Sequence, residues 1–359
     1  MKNTAQTRSV PKPSKARRLL RRVVYLVSIA YPVALVLLIL ALYFVGESWW
    51  VTTALLYSPR IAFAAPLPFL VVALLWCSMR RLLWLQLLAA FLVVVPLMGF
   101  VLPSFGGGGP RAASLRLLSL NANSGYSGAS AIAAQIATLA PDVVLIQEGQ
   151  FGGGDLGELL HKRYPYLQAS TQFTIASRFP ILEATDPQRL PYYGRERSPR
   201  FMRYLLDTPL GRLAVYSVHP ISPRGALHVH RFRDVLHELR TGAFLDGDAE
   251  ADVGGNAGLR SLQIATAAEL ASKEQVPVII AGDTNLPGLS VILRKNLSRY
   301  SDAFRSASWG FGLTFPEKYP FLRLDRIFGD ARLRFTSFQI GCRGISDHLC
   351  VAADIERQP

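Results

Sequence analysis

The segment VIIAGDTN, Val278 to Asn285, is a run of β-branched and small apolar residues that ends abruptly in polar ones. A strand buried on both faces reads as a continuous apolar run, so Val276 to Ala281 is expected to be a central strand. It delivers Gly282, Asp283, Thr284 and Asn285 at its carboxyl end. The same arrangement recurs along the chain. Leu115 to Leu120 ends in Asn121, Val143 to Ile146 delivers Gln147 and Glu148, and Leu213 to Val218 delivers His219. Asp347 and His348 come just before a last run, Leu349 to Ile355. Ligands of open α/β sheets gather at the carboxyl edges of strands. Asp and Asn also favour strand ends for turn reasons, so one such residue means little. Five groups from distant segments point to a shared site.

Further strands are expected at Phe173 to Ser177, Tyr204 to Asp207, Leu324 to Phe328 and Leu333 to Phe338. Apolar spacing predicts helices over Ala129 to Leu139, Arg224 to Arg240 and Leu259 to Lys273, with 241–258 irregular between the last two. Strands alternating with helices, then late strand pairs, predict an α/β domain of two packed sheets flanked by helices.

The N-terminal part differs in kind. The chain has 359 residues, a formal net charge of +14, 50% hydrophobic and only 18% charged residues. That excludes a disordered chain, and three Cys exclude a disulfide-dense scaffold. Residues 1–104 hold 11 Lys and Arg against one acid, Glu47, so the basic excess belongs there and not to a nucleic-acid surface. Eight of those cations lie between Lys2 and Arg22, a basic tail over 1–22. Val23 to Gly46 is free of charge for 24 residues, about 36 Å as a helix against a hydrocarbon core of about 30 Å. Two more apolar runs, 61–79 and 82–103, predict three transmembrane helices in all. A cleaved signal peptide is the competing reading, but the first run far exceeds an apolar region of about 7–15 residues.

Lys and Arg in short loops mark the cytoplasmic side. The tail has eight, the loop from Glu47 to Arg60 has one, and Arg80 and Arg81 sit in a very short turn. The N-terminus is therefore expected in the cytoplasm and the C-terminal domain outside the cytoplasmic membrane. Residues 104–111, SFGGGGPR, read as a linker, and 112–359 as one domain.

The ordered segments LSLNAN (118–123), VVLIQE (143–148), TIASRFPI (174–181), YSVHPISP (216–223), VIIAGDTN (278–285), LDRIF (324–328) and SDHLCV (346–351) resemble the endonuclease/exonuclease/phosphatase superfamily. Its members include pancreatic-type deoxyribonucleases, abasic-site endonucleases, inositol polyphosphate 5-phosphatases and bacterial sphingomyelinases. The whole chain looks like the membrane-anchored bacterial branch that includes proteins linked to glycopeptide resistance. The resemblance implies a four-layer α/β sandwich of two mixed sheets, preceded here by the three transmembrane helices. It also implies a metal-dependent phosphoric-ester hydrolase. Glu148 would hold the cation, Mg²⁺ with Mn²⁺ as a substitute, and Asn121 and Asp347 would complete or orient that shell. Asp283 would position or deprotonate the attacking water, and Asn285 would donate to a phosphate oxygen. His348, oriented by Asp325, would bind the phosphoryl group, and His219 would be the acid for the leaving oxygen. Arg260, at the start of a helix, joins the substrate-binding candidates, although a surface position is its default.

The deoxyribonuclease branch pairs its second histidine with a Glu before the strand matching Phe173 to Ser177. Ser170, Thr171, Gln172 and Phe173 offer no carboxylate, so His219 is expected to lack that orienting partner. His228, His230 and His237 among arginines read as a solvated basic face. The aromatic run Trp309, Phe311, Phe315, Tyr319 and Phe321 either grips an apolar substrate or covers a sheet edge. Whether Cys342 and Cys350 form a bridge stays open. A lipid-linked phosphate or pyrophosphate is the favoured substrate, with the bilayer as partner. An extracytoplasmic nuclease acting on nucleic acid, and a non-catalytic membrane binding protein retaining the fold, are the alternatives.

Overall fold

The structure, a computed structural model, describes residues 14–102, 114–149, 156–191, 197–223 and 247–358. They fall into two compact units, one formed by Met1–Ile39 and Arg60–Met98, the other by Leu40–Pro59 and Gly99–Pro359.

Two helices, Lys15–Phe44 and Arg80–Leu97, are long and apolar enough to cross a membrane. The expected middle span is a bent pair instead. Trp50–Leu56 and Arg60–Trp76 meet at 91°, and counting them as one span raises the total to three. Pro66, whose ring has no N–H to give the preceding turn, opens the longer stretch Pro66–Trp76 within the second of these. Apolar side chains point outward all round, among them Leu19, Phe69, Trp76 and Leu87, as on helices whose solvent is lipid. Inside the first unit Arg60 donates through Nη1 to the Leu97 carbonyl (2.9 Å), and Tyr31 donates to that of Phe63 (2.5 Å).

The second unit is built on two six-stranded mixed sheets. Strands β1 (Ser114–Asn121), β2 (Val143–Gln147), β3 (Tyr166–Ser170) and β4 (Phe173–Ser177) belong to the first, with β13 (Leu333–Gly341) and β14 (Cys350–Arg357), in the order β13-β14-β1-β2-β4-β3. The second, β11-β12-β10-β9-β8-β5, contains β5 (Ile181–Thr185), β8 (Phe201–Thr208) and β9 (Gly211–Val218), followed in sequence by β10 (Val278–Asp283), β11 (Ser301–Asp302) and β12 (Asp325–Gly329). The last strands, β13 (Leu333–Gly341) and β14 (Cys350–Arg357), return to the first sheet, and β6 (Arg189–Pro191) pairs with β7 (Arg197–Pro199) in a separate two-stranded sheet. The strands expected from apolar runs are present. The short, half-polar β3 and β5 were not legible as such, because their side chains are mostly exposed.

Alternation along each strand explains the layers. Leu115 and Leu117 of β1 face a shared interior with Val215 of β9 and Ile279 and Ala281 of β10. Leu118 and Leu120 turn the other way, onto Ile132 and Ile136 of the helix Ala129–Leu139. Ile280, Tyr216 and Phe328 on the outer face of the second sheet pack against Ile264, Ala267 and Ala271 of the helix Gly247–Ser272. Helix, sheet, sheet, helix is the four-layer α/β sandwich the sequence predicted.

One local expectation is corrected and one open question is answered. The segment read as irregular is helical from Gly247, and its scattered Gly and acids hide any apolar period. Cys342 and Cys350 are bridged, because the β13–β14 register sets Gly341 opposite Cys350. The helix expected over 224–240, with His228, His230 and His237, lies outside the described residues.

Candidate active site

Every carboxylate and imidazole of interest sits on one edge of the sandwich, and the topology explains why. The parallel trio of ends is Asn121 on β1, Glu148 just after β2, and Asp283 closing β10, with His219 following β9 beside it. Strand β12 runs antiparallel to β10, so its first residue, Asp325, lies directly opposite Asp283. Strand β14 runs antiparallel to β1, which brings His348, two residues ahead of it, to the same edge. The interior beneath turns polar at this end. Gln147 there donates through Nε2 to Ser217 Oγ (3.0 Å) and lies beside Ser119 Oγ (3.3 Å), tying the two sheets together.

Asp283 is the hub. Its Oδ1 accepts from the Asn285 N–H (2.9 Å) and its Oδ2 from Asn121 Nδ2 (3.1 Å). Both imidazoles point Nε2 at that Oδ2, each 3.7 Å away. His348 Nδ1 is bound to Asp325 Oδ2 at 2.9 Å, and its ring lies against Phe315 with centroids 4.7 Å apart. Burial opposes charge on His348, but Asp325 and Asp283 beside it more than compensate and hold its pKa at about 9. Burial also raises the Asp283 carboxyl, against the downward pull of His348. A buried carboxylate between two imidazoles is a stronger base than an exposed one.

Glu148 stands at φ +53°, a left-handed conformation unusual for a non-glycine residue, and keeps a third of its side chain exposed (33%). Asn121 Nδ2 reaches its Oε1 at 3.2 Å, while Asn121 Oδ1 accepts from the Asn123 N–H. Asn121 thus turns its NH₂ toward both carboxylates. Asp347 is half-buried, and its neighbour Ser346 donates to the Asn121 carbonyl (2.7 Å).

His219 has an orienting partner, contrary to expectation. Its Nδ1 lies 2.6 Å from Gln172 Oε1. Gln172 Nε2 donates to the Pro199 carbonyl, which fixes the amide so that its oxygen faces the ring. Nδ1 therefore carries the proton and Nε2 faces Glu148 (3.5 Å) and Asp283. The segment carries no carboxylate, but an amide oxygen accepts as well. Replacing Gln172 by Leu is expected to lower kcat about tenfold, with Gln172→Glu keeping most of it; equal kcat for parent and Gln172→Leu would remove the residue from the site.

Arg260 is buried, not on the surface. Its Nε donates to the Ile221 carbonyl (2.9 Å), Nη2 to Asn256 Oδ1, and Nη1 to the Tyr57 hydroxyl (3.3 Å). Among the aromatic run, Phe315 reaches the site, whereas Trp309 and Tyr319 are exposed.

The donors suit a divalent cation. Asp283, Asp325 and His348 bring one ligand atom each within 4.8 Å of one another, and Asp325 Oδ1 is buried with no hydrogen-bond partner. Glu148 adds a carboxylate open to solvent. Hard ions take such oxygens together with water.

A model of the Endonuclease/Exonuclease/phosphatase family matches residues 118–348, well over half of the chain. The chain belongs to this family, and with it to the metal-dependent phosphoric-ester hydrolases. No curated protein matches it. Solved structures of similar fold include the endonuclease/exonuclease/phosphatase of Beutenbergia cavernae, 18% identical over 68% of this chain and 72% of its own, TM-score 0.48. A mutant beta toxin of Staphylococcus aureus with bound magnesium ions is also 18% identical, over 67% and 99%, TM-score 0.48. TDP2 of D. rerio, complexed with a single-strand DNA product, is 17% identical over 68% and 100%, TM-score 0.45.

Proposed function

We propose that this protein is a membrane-anchored phosphoesterase that hydrolyses a phosphate ester or pyrophosphate of a lipid-linked substrate outside the cytoplasmic membrane. The observation that carries the reading is Asp283 held between two oriented imidazoles, beside the half-exposed Glu148. Glu148 holds the cation, with Asp347 contributing and Asn121 orienting. Between the two carboxylate groupings, the set Asp283, Asp325 and His348 suits a hard ion less well than the open Glu148, since one of its three donors is an imidazole nitrogen. Mg²⁺ is the cation proposed, with Mn²⁺ able to replace it; when bound it neutralises phosphoryl charge.

The chain's own groups do the rest. Asp283 takes the proton of the attacking water. His348, charged at neutral pH and steered by Asp325, donates to the phosphoryl oxygens, and Asn285 adds a second donor. His219, its Nδ1–H held by Gln172 Oε1, presents Nε2 beside Glu148 and Asp283 and acts as the acid in its doubly protonated form, giving the Nε2 proton to the leaving oxygen. Arg260 meets no site carboxylate directly and acts through Tyr57.

Domain limits follow the sequence reading, with anchoring helices over 23–103, a linker at 104–111 and the catalytic domain over 112–359. Orientation of that domain away from the cytoplasm is supported by the cation-rich tail and by the Cys342–Cys350 bridge, which persists outside reducing compartments. Tethering favours lipid-linked substrates, and the 28 basic against 24 acidic residues beyond position 104 make a weak nucleic-acid surface.

The test is hydrolysis by the full-length protein in detergent, offered a lipid pyrophosphate, sphingomyelin, inositol phosphates and single-stranded DNA. Turnover of a lipid substrate is expected to fall at least 100-fold in EDTA and to return with Mg²⁺. Turnover of DNA alone, weakening steeply with salt, would replace this reading with a nuclease. No turnover, together with no Mg²⁺ binding by calorimetry, would leave a binding protein.

A further inference from the structure

We propose that the loop between the first two apolar runs, Gly46 to Tyr57, is a working part of the active site. In it, Tyr57 and Glu47 are positioning residues for the segment that carries Asp283 and Asn285. The inference rests on the roles proposed above for those two residues.

The loop belongs to the same compact unit as the sandwich. Glu47, the lone acid of the first 104 residues, is buried, with 3% of its surface exposed. A buried carboxylate needs donors, and the sandwich supplies them. Glu47 Oε1 accepts from the Ser290 hydroxyl and Oε2 from the Val291 N–H (3.0 Å). Ser290 caps the helix Val291–Leu297 by accepting from the Leu293 N–H (3.0 Å), so Glu47 pins the start of that helix. Gly46 allows the approach. It has φ +51°, and a Cβ there would lie 2.5 Å from Val291 Cγ2. Arg294 completes this end by donating to the Tyr43 carbonyl and stacking its guanidinium 3.5 Å from the Tyr43 ring centre.

Tyr57 holds the other end. Its hydroxyl donates to the Asn285 carbonyl at 2.6 Å and accepts from Arg260 Nη1 at 3.3 Å. The buried cation polarises that hydroxyl and strengthens the bond it donates. Asn285 is itself left-handed, at φ +49°, and its own N–H is the donor to Asp283 Oδ1. One peptide of Asn285 is thus held by Tyr57 and the preceding one by the proposed base. Anything that frees the first disturbs the second. The stretch from Asp283 to Val291 is clamped at both ends by a loop more than 220 residues away in sequence.

The experiment compares the full chain with Tyr57→Phe and Glu47→Gln in detergent. The probes are p-nitrophenyl phosphate and bis(p-nitrophenyl) phosphate with Mg²⁺, and amide exchange is followed over residues 284–291. Tyr57→Phe is expected to lower kcat about tenfold with KM within twofold, and to speed exchange at Asn285 and Leu286. Glu47→Gln, which keeps one acceptor oxygen for the two donors Ser290 Oγ–H and Val291 N–H and loses the charge, is expected to lower kcat at least threefold and to speed exchange at Val291. A kcat within twofold of the parent in both variants, whatever happens to Tm, would overturn the inference. Should the parent hydrolyse neither probe, the functional reading loses support. Exchange then judges the loop alone, and unchanged exchange in both variants overturns it.

Discussion

Asp283→Asn is expected to abolish nearly all turnover, by about 10²–10⁴-fold in kcat, while costing little stability. Asn has the size of Asp and can still accept from the Asn285 N–H. Its NH₂, however, must meet the Asn121 NH₂ where Asp283 Oδ2 now accepts, and it cannot take a proton. Stability should hold because burial disfavours the ionised Asp283, and a neutral isostere carries no such cost. His348 should respond too. Asp283 is one of the charges that hold it at about 9, so its pKa should fall in the variant, measurable by NMR of the imidazole. Activity within tenfold of the parent, measured on p-nitrophenyl phosphate with Mg²⁺, would remove Asp283 from the role of base.

Gly282→Ala is expected to cost at least about 3 kcal/mol of stability and to take the activity with it. Gly282 pairs with Val218 across the parallel β9–β10 register, at φ +147°. A Cβ at that position would stand 2.0 Å from the Val218 carbonyl oxygen, a backbone atom that cannot swing aside. Relief requires the two strands to part at the point where each delivers a site residue, His219 on one and Asp283 on the other. Urea unfolding gives the cost. A loss under about 1 kcal/mol would show that the strands open there without penalty.

These two neighbours in sequence also show how far the chain can be read unaided. That VIIAGD is a buried strand, and that Asp283 ends it, follows from local chemistry: continuous apolar runs need burial on both faces, and polar residues after them mark an edge. The same logic located Asn121, Glu148, His219 and His348, and charge counting separated the basic, apolar N-terminal part from the near-neutral remainder. Family motifs added the roles. All of this is information carried by residues close together in the chain.

Pairings between distant segments were not available in that way. Asp325 faces Asp283 because β12 is antiparallel to β10 in one particular register, and a shift of one residue would turn its side chain to the other face. The value of Gln172 lies in the Pro199 carbonyl that orients its amide, a pairing that no local pattern carries. Arg260 looked superficial on a helix that in fact continues back to Gly247, and it is buried by the loop that holds Tyr57. Glu47 counted only as a charge until Ser290 and Val291 gave it donors. Strand identity and edge position come from hydrophobic pattern, which is written along the chain. The partner of each polar group comes from register and packing, which exist only once the two sheets have closed on each other.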